Sequence, residues 1–187
     1  MWSARRVGER LAFMIMAAAL ACGVTSASAG VAAREVSPTA GWLEGLRWVN
    51  TKPLRAGDLA GRVVVVEFWT FDCINCRRTV PAMRQLAATY ARAQDVVILG
   101  VHTPEFAHER EGASVRRAVE RLELNYPVAQ DNEYKTWQAF GNRSWPSIFV
   151  LDRRGVVRLK HIGELHRGTA DWNTVLRSIE ELRRSGS

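Results

Sequence analysis

Two cysteines three residues apart, Cys73 and Cys76, are the part of this chain best suited to chemistry. They follow the apolar run Val63-Val64-Val65-Val66-Glu67-Phe68-Trp69-Thr70 and open a helical pattern. A helix N-terminus carries partial positive charge and unpaired backbone N–H groups, both of which favour a thiolate. A thiol placed there can have its pKa lowered from ~8.5 to ~3.5–7.5. Cys73 is then the candidate nucleophile. Cys76, one turn further on, is the candidate resolving thiol that releases a mixed disulfide. Glu67 lies six residues before Cys73 on the apolar run. A carboxyl there is expected to have a raised pKa, suited to proton transfer near neutrality. Strand alternation does not settle which face it takes.

Other uses of two cysteines fit less well. A structural zinc site needs four ligands, and there is no second cysteine pair. Copper held by the cysteines with His102 and His108 is the alternative binding chemistry. A peroxidatic cysteine would need a proline closely preceding Cys73 in a Pro-x-x-x-Thr/Ser-x-x-Cys context, and none is there. No metal or other cofactor is called for.

The composition, 47% hydrophobic and 24% charged over 187 residues, is that of a globular domain with a good core. The net charge of +7 is spread over helical stretches without interleaved stacking aromatics, which argues against nucleic-acid binding. Residues 1–29 read as a cleaved signal peptide. Arg5, Arg6 and Arg10 are basic, Leu11 to Val24 is apolar, and Ala27-Ser28-Ala29 is a small-x-small cleavage site. The apolar stretch is shorter than the roughly 20 residues of a membrane span. Stable membrane insertion after cleavage is therefore not expected, and the product is periplasmic or secreted. Cys22 leaves with the leader; Ala19 stands where a lipid-acceptor signal usually has Leu. The mature chain then holds only Cys73 and Cys76, a pair more suited to redox work than to stapling a fold.

The elements that must position the pair follow from the pattern. Residues 30–41 form a linker, and residues 42–187 the domain. Val63–Trp69 and Val96–Val101 read as buried strands. Between them Val80, Met83, Leu86, Ala87 and Tyr90 recur at helical spacing, and Pro81 inside the pattern is expected to kink the helix near Thr79–Val80. Val115 to Leu122 is an amphipathic helix, Tyr126–Ala129 a short strand, and Glu133–Phe140 a short helix ending at Gly141. Ser147–Asp152 and Val156–Ile162 form a hairpin, and Thr169–Arg184 the last helix. Trp42–Val49 is too short to classify. Asp72 is the expected cap of the first long helix. Its charge opposes a thiolate at Cys73, and Arg77 and Arg78 are the candidates to offset it. The order β-α-β-α-β-α-β-β-α, with Cys-X-X-Cys after the first buried strand, is a thioredoxin-like α/β pattern: a mixed central sheet flanked by helices, with an inserted strand and helix.

Several segments carry a closer resemblance: Phe68-Trp69-Thr70-Phe71-Asp72-Cys73-Ile74-Asn75-Cys76, Gly100-Val101-His102-Thr103-Pro104-Glu105-Phe106, Tyr126-Pro127-Val128, and Trp137 to Asn142 followed by Trp145-Pro146. They resemble the thioredoxin-like domain of DipZ-type proteins, within the redoxin and TlpA-like group. The resemblance implies an exported thiol:disulfide oxidoreductase acting on protein thiols or disulfides. It also implies a separate membrane electron-transfer partner if the activity is reductive. By the same resemblance Pro146 is a cis proline facing the cysteines. Trp145 before it offers its backbone to a bound peptide, and in the wider thioredoxin pattern the position of Glu67 holds the buried acid serving Cys76. Trp69, which flanks the motif, is expected to pack beside the active-site helix and to contribute to substrate binding.

Overall fold

The computed structural model describes residues 41–185. The leader at 1–29 and all but the last residue of the 30–41 linker lie outside them. The central strand β2 (Val63–Trp69) is buried along its whole length, as a β-branched run with no charge before Glu67 demands. It pairs in parallel with β3 (Val96–His102) and antiparallel with β5 (Ser147–Leu151). Two further strands extend the sheet: β4 (Val128–Gln130) beside β3, and β6 (Val157–Ile162) closing the hairpin with β5. A two-residue strand, β1 (Arg47–Trp48), lies antiparallel to β4, giving the order β1-β4-β3-β2-β5-β6. β1 comes from the segment left unclassified in the sequence; two residues are too few to show a period.

Alternation along β2 sorts its side chains into two cores. A one-turn helix, α1 (Ala56–Leu59), precedes β2. Val63, Val65 and Trp69 join one core with Cys76, Val80, Met83 and Leu86 of helix α2 (Ile74–Tyr90). Val175 and Ile179 of the C-terminal helix (Ala170–Arg184) belong to the same core. Val64, Val66 and Phe68 face the other core, where Trp42, Phe140 and Phe149 make edge-to-face contacts. The C-terminal helix starts at a threonine cap, Thr169 Oγ1 accepting the Trp172 N–H at 3.2 Å. It ends with Arg183, which bridges Asp95 and Glu180.

The smaller elements differ from the sequence reading at their ends. β4 starts at Val128, because Pro127 has no N–H to donate; its carbonyl instead accepts the Gly100 N–H at 2.8 Å. The short helix spans Lys135–Ala139, starting after Tyr134, whose φ of +57° is left-handed. Helix α2 carries Pro81 inside it, at the cost of one backbone donor, and still runs to Tyr90. Between β3 and β4 come a 3-10 turn (Ala107–Arg110) and the amphipathic helix Gly112–Arg121. Among the described residues no helix is long and apolar enough to cross a membrane.

Candidate active site

Strand β2 ends at Trp69, and the turn Thr70–Asp72 delivers the chain to α2. Cys73 is the residue that caps this helix. Its backbone is extended, and its Sγ accepts the Cys76 N–H at 3.2 Å. The expectation that Asp72 caps the helix is therefore corrected. With the sulfur already on that N–H, Asp72 turns outward and its Oδ2 meets His108 Nε2 at 2.5 Å. Of the two arginines expected to offset it, Arg78 is tied to Glu164 at 3.1 Å. The side-chain partner of Asp72 comes from the next loop instead.

The two thiols differ in access. Cys73 is half-buried and Cys76 fully buried, and both are free. Burial pushes the Cys76 thiol well up, reinforced by its hydrogen bond to Cys73 and by the charges of Cys73 and Glu67. Glu67 is 1% exposed and lies on the Cys76 side of the sheet, which settles the face that alternation alone left open. Burial raises its pKa to about 7, and the hydrogen bond from Tyr126 pulls the other way. Tyr126 Oη donates to Glu67 Oε2 at 2.8 Å, while Oε1 has no partner. A buried acid that titrates near neutrality, with one open oxygen, beside a buried thiol whose pKa is raised, forms an acid–base pair suited to moving that thiol's proton.

Opposite them lies the start of β5. The Trp145–Pro146 bond is cis. The register Phe68↔Ser147 sets Pro146 level with Trp69, at the end of β2 from which the cysteine turn departs. Trp145 is half-buried; its indole N–H donates to the Thr103 carbonyl at 3.0 Å and its ring packs on Trp137, centroids 4.2 Å apart. Trp69 is corrected as a substrate contact. It is 1% exposed, edge-on to His102 and pressed against Gly100, so it supports the site from below.

Three site residues were not singled out from the sequence. Tyr126 was read only as part of a short strand. Thr70 Oγ1 donates to Glu109, and Glu109 is fully buried. The available signal for Glu109 was its position three residues after Phe106 at the start of a helical turn, where an acid reaches back to free N–H groups. Burial pushes His102 down to about 4, and its Nε2 faces Thr70 Oγ1 at 3.2 Å. The copper alternative finds no support in this placement: His102 and His108 point to Thr70 and Asp72. Among the described residues no three His, Cys, Asp or Glu side chains are grouped as metal ligands.

Comparison with known proteins agrees with this architecture. The AhpC/TSA family profile matches residues 45–160, and the chain belongs to that family. Protein DipZ of Mycobacterium tuberculosis is 35% identical over 163 residues, covering 85% of this chain but 23% of DipZ. The chain thus spans about a quarter of that relative. Thiol-disulfide oxidoreductase ResA of Geobacillus kaustophilus is 28% identical over 129 residues, 69% of this chain and 68% of ResA. Among solved structures, the exposed lipoprotein thioredoxin Etrx1 of Streptococcus pneumoniae superposes with a TM-score of 0.62 at 26% identity, covering 73% of this chain and 96% of Etrx1. A thiol-disulfide isomerase from Corynebacterium glutamicum gives 0.64 at 24% identity, covering 73% and 90%. The fold is thioredoxin-like.

Proposed function

We propose that the chain is an extracytoplasmic thiol:disulfide oxidoreductase working through Cys73 and Cys76 on protein substrates. The observation that carries this is the inequality of the two sulfurs: one accessible at the helix N-terminus, one buried behind it next to an acid that titrates near neutrality. In the reducing direction the Cys73 thiolate attacks a substrate disulfide. A Cys73–substrate S–S bond forms, the substrate S–S bond breaks, and one substrate thiolate leaves. Cys76 then gives its proton to the Glu67 carboxylate and attacks Cys73 Sγ. The Cys73–Cys76 disulfide forms and the second substrate thiolate departs, so two electrons have passed to the substrate. In the oxidising direction the steps reverse and Glu67 returns the proton.

Pro146 borders the reacting sulfurs, and Trp145 is the side chain a substrate meets. The signal-like leader and the likeness to an exposed lipoprotein thioredoxin support a place outside the cytoplasm. The test is a full chain carrying Cys22→Ser and Cys76→Ser. Mixed disulfides with other proteins should accumulate through Cys73. Absence of adducts, with Cys73 still open to alkylation, would refute exchange as the function.

A further inference from the structure

Among the described residues three large hydrophobic side chains stand exposed: Ile74 at 51%, Phe106 at 52% and Ile162 at 57%. Isolated surface hydrophobics need no explanation, but all three of these border one site. Ile74 directly follows Cys73. Ile162 pairs with Ser147, and its neighbour Gly163 donates to the Pro146 carbonyl at 3.0 Å. Phe106 stacks on His108, centroids 5.8 Å apart and planes 9° apart, and His108 meets Asp72, the residue before Cys73.

The loop that carries Phe106 is firmly held. Glu109 Oε2 accepts the N–H of Glu105 at 2.6 Å and of Phe106 at 2.8 Å. Its Oε1 accepts the Asp72 N–H at 3.1 Å and the Thr70 hydroxyl. Four donors fill the carboxylate's acceptor capacity. Thr70, its hydrogen committed to Glu109, is left to accept from His102, which assigns the Nε2–H tautomer to that ring. One buried side chain thus fixes the Phe106 loop and the turn before Cys73 together. An aromatic ring presented this way needs little further ordering when a partner arrives.

We propose that Phe106, held beside Cys73 by the Glu109-anchored loop, is a specificity-determining residue that selects substrates with an apolar side chain flanking the reacting cysteine. The inference rests on the exchange reading. The occupant is the cysteine-bearing segment of another protein, because a disulfide to Cys73 places that segment on this surface. At ~3.3–3.6 Å per extended residue, its near neighbours reach the rim. Of the carboxylates near the cysteine turn, Asp72 and Glu164 are already met by His108 and by Arg78 and His166, while Glu105 stands exposed beside Phe106; the three exposed apolar side chains are the contacts that favour an apolar neighbour.

The experiment uses the full chain with Cys22→Ser and three substrates: two peptide disulfides that differ only in Leu or Ser beside the cysteine, and 2-hydroxyethyl disulfide. Wild type should prefer the Leu peptide about tenfold in kcat/KM, the low end of what one apolar contact yields. Phe106→Ser should reduce that preference to about twofold, mainly through KM, and Phe106→Leu should restore it. The rate with 2-hydroxyethyl disulfide should stay within about twofold in every variant. No preference in wild type, or a preference that survives Phe106→Ser, would overturn the inference. Failure to react even with 2-hydroxyethyl disulfide would overturn the exchange reading, and this inference with it.

Discussion

Replacing Glu67 with glutamine should change the stability of the reduced protein in a way that depends on pH. Burial raises the Glu67 pKa from an ordinary 4.5 to about 7. A group whose pKa is higher in the folded state favours folding most below its unfolded value, and that contribution fades as pH rises. A shift of about 2.5 units corresponds to about 3 kcal/mol, most of it lost between pH 4.5 and 7. Glu67→Gln has no such titration. Both a protonated Glu67 and a glutamine can accept from Tyr126, and both carry a hydrogen where Oε1 now has no partner. The two proteins should therefore differ by a roughly constant amount at pH 4. The variant should then gain on wild type by about 3 kcal/mol by pH 8. Urea unfolding of the reduced proteins at pH 4, 5.5, 7 and 8 measures this directly. In melting temperature the gain is about 6–12 °C for a domain of this size. The same variant should slow resolution of the mixed disulfide by about 10²–10⁴-fold, the usual contribution of a positioned acid–base group. A stability difference that stays flat from pH 4 to 8 would refute the buried, neutral-pH acid.

Alkylation of the reduced protein at mildly acidic pH should label Cys73 first, since Cys76 is buried and its thiol is pushed up; peptide mapping showing Cys76 labelled first would reverse the roles. Tyr126→Phe removes the one hydrogen bond that opposes the rise in the Glu67 pKa, so the carboxyl should titrate higher still, visible by infrared difference spectroscopy of the carboxyl band. Thr79→Val should cost about 1–3 kcal/mol, because the buried Thr79 hydroxyl accepts the Leu165 N–H at 3.1 Å and nothing else there replaces it; urea unfolding would show it. Gly100→Ala should also destabilise, by about 1–3 kcal/mol, since a Cβ would stand 3.0 Å from Trp69 Nε1 and 3.1 Å from the Tyr126 ring; the same unfolding assay at neutral pH should find the loss.

The sheet and the main helices were legible because their signals are local. Val63–Trp69 is a β-branched run, the face of α2 repeats at helical spacing, and Arg153-Arg154-Gly155 marks the hairpin turn. The cysteines were legible from spacing and from what precedes them. What escaped depended on distant partners. Nothing near Tyr126 says that its hydroxyl will meet Glu67, 59 residues away. Nothing near Asp72 says that His108 will take its carboxylate while the Cys73 sulfur takes the helix cap. Trp69, flanking the motif, reads from the sequence as a substrate contact, yet at the end of the central strand its ring is buried against His102 and Gly100. Strand β1 was missed for lack of length.

The alternation along β2 has a practical consequence. Glu67 and Trp69 point to the side that holds the cysteines, whereas Val64, Val66 and Phe68 point into the aromatic layer with Trp42, Phe140 and Phe149. The sheet therefore insulates one layer from the other. Changes of volume or shape in the aromatic layer can alter robustness to heat or denaturant while leaving redox behaviour in place. Changes on the cysteine side tune reactivity. A slip of one residue in β2 would move Glu67 into the aromatic layer and abolish both properties together.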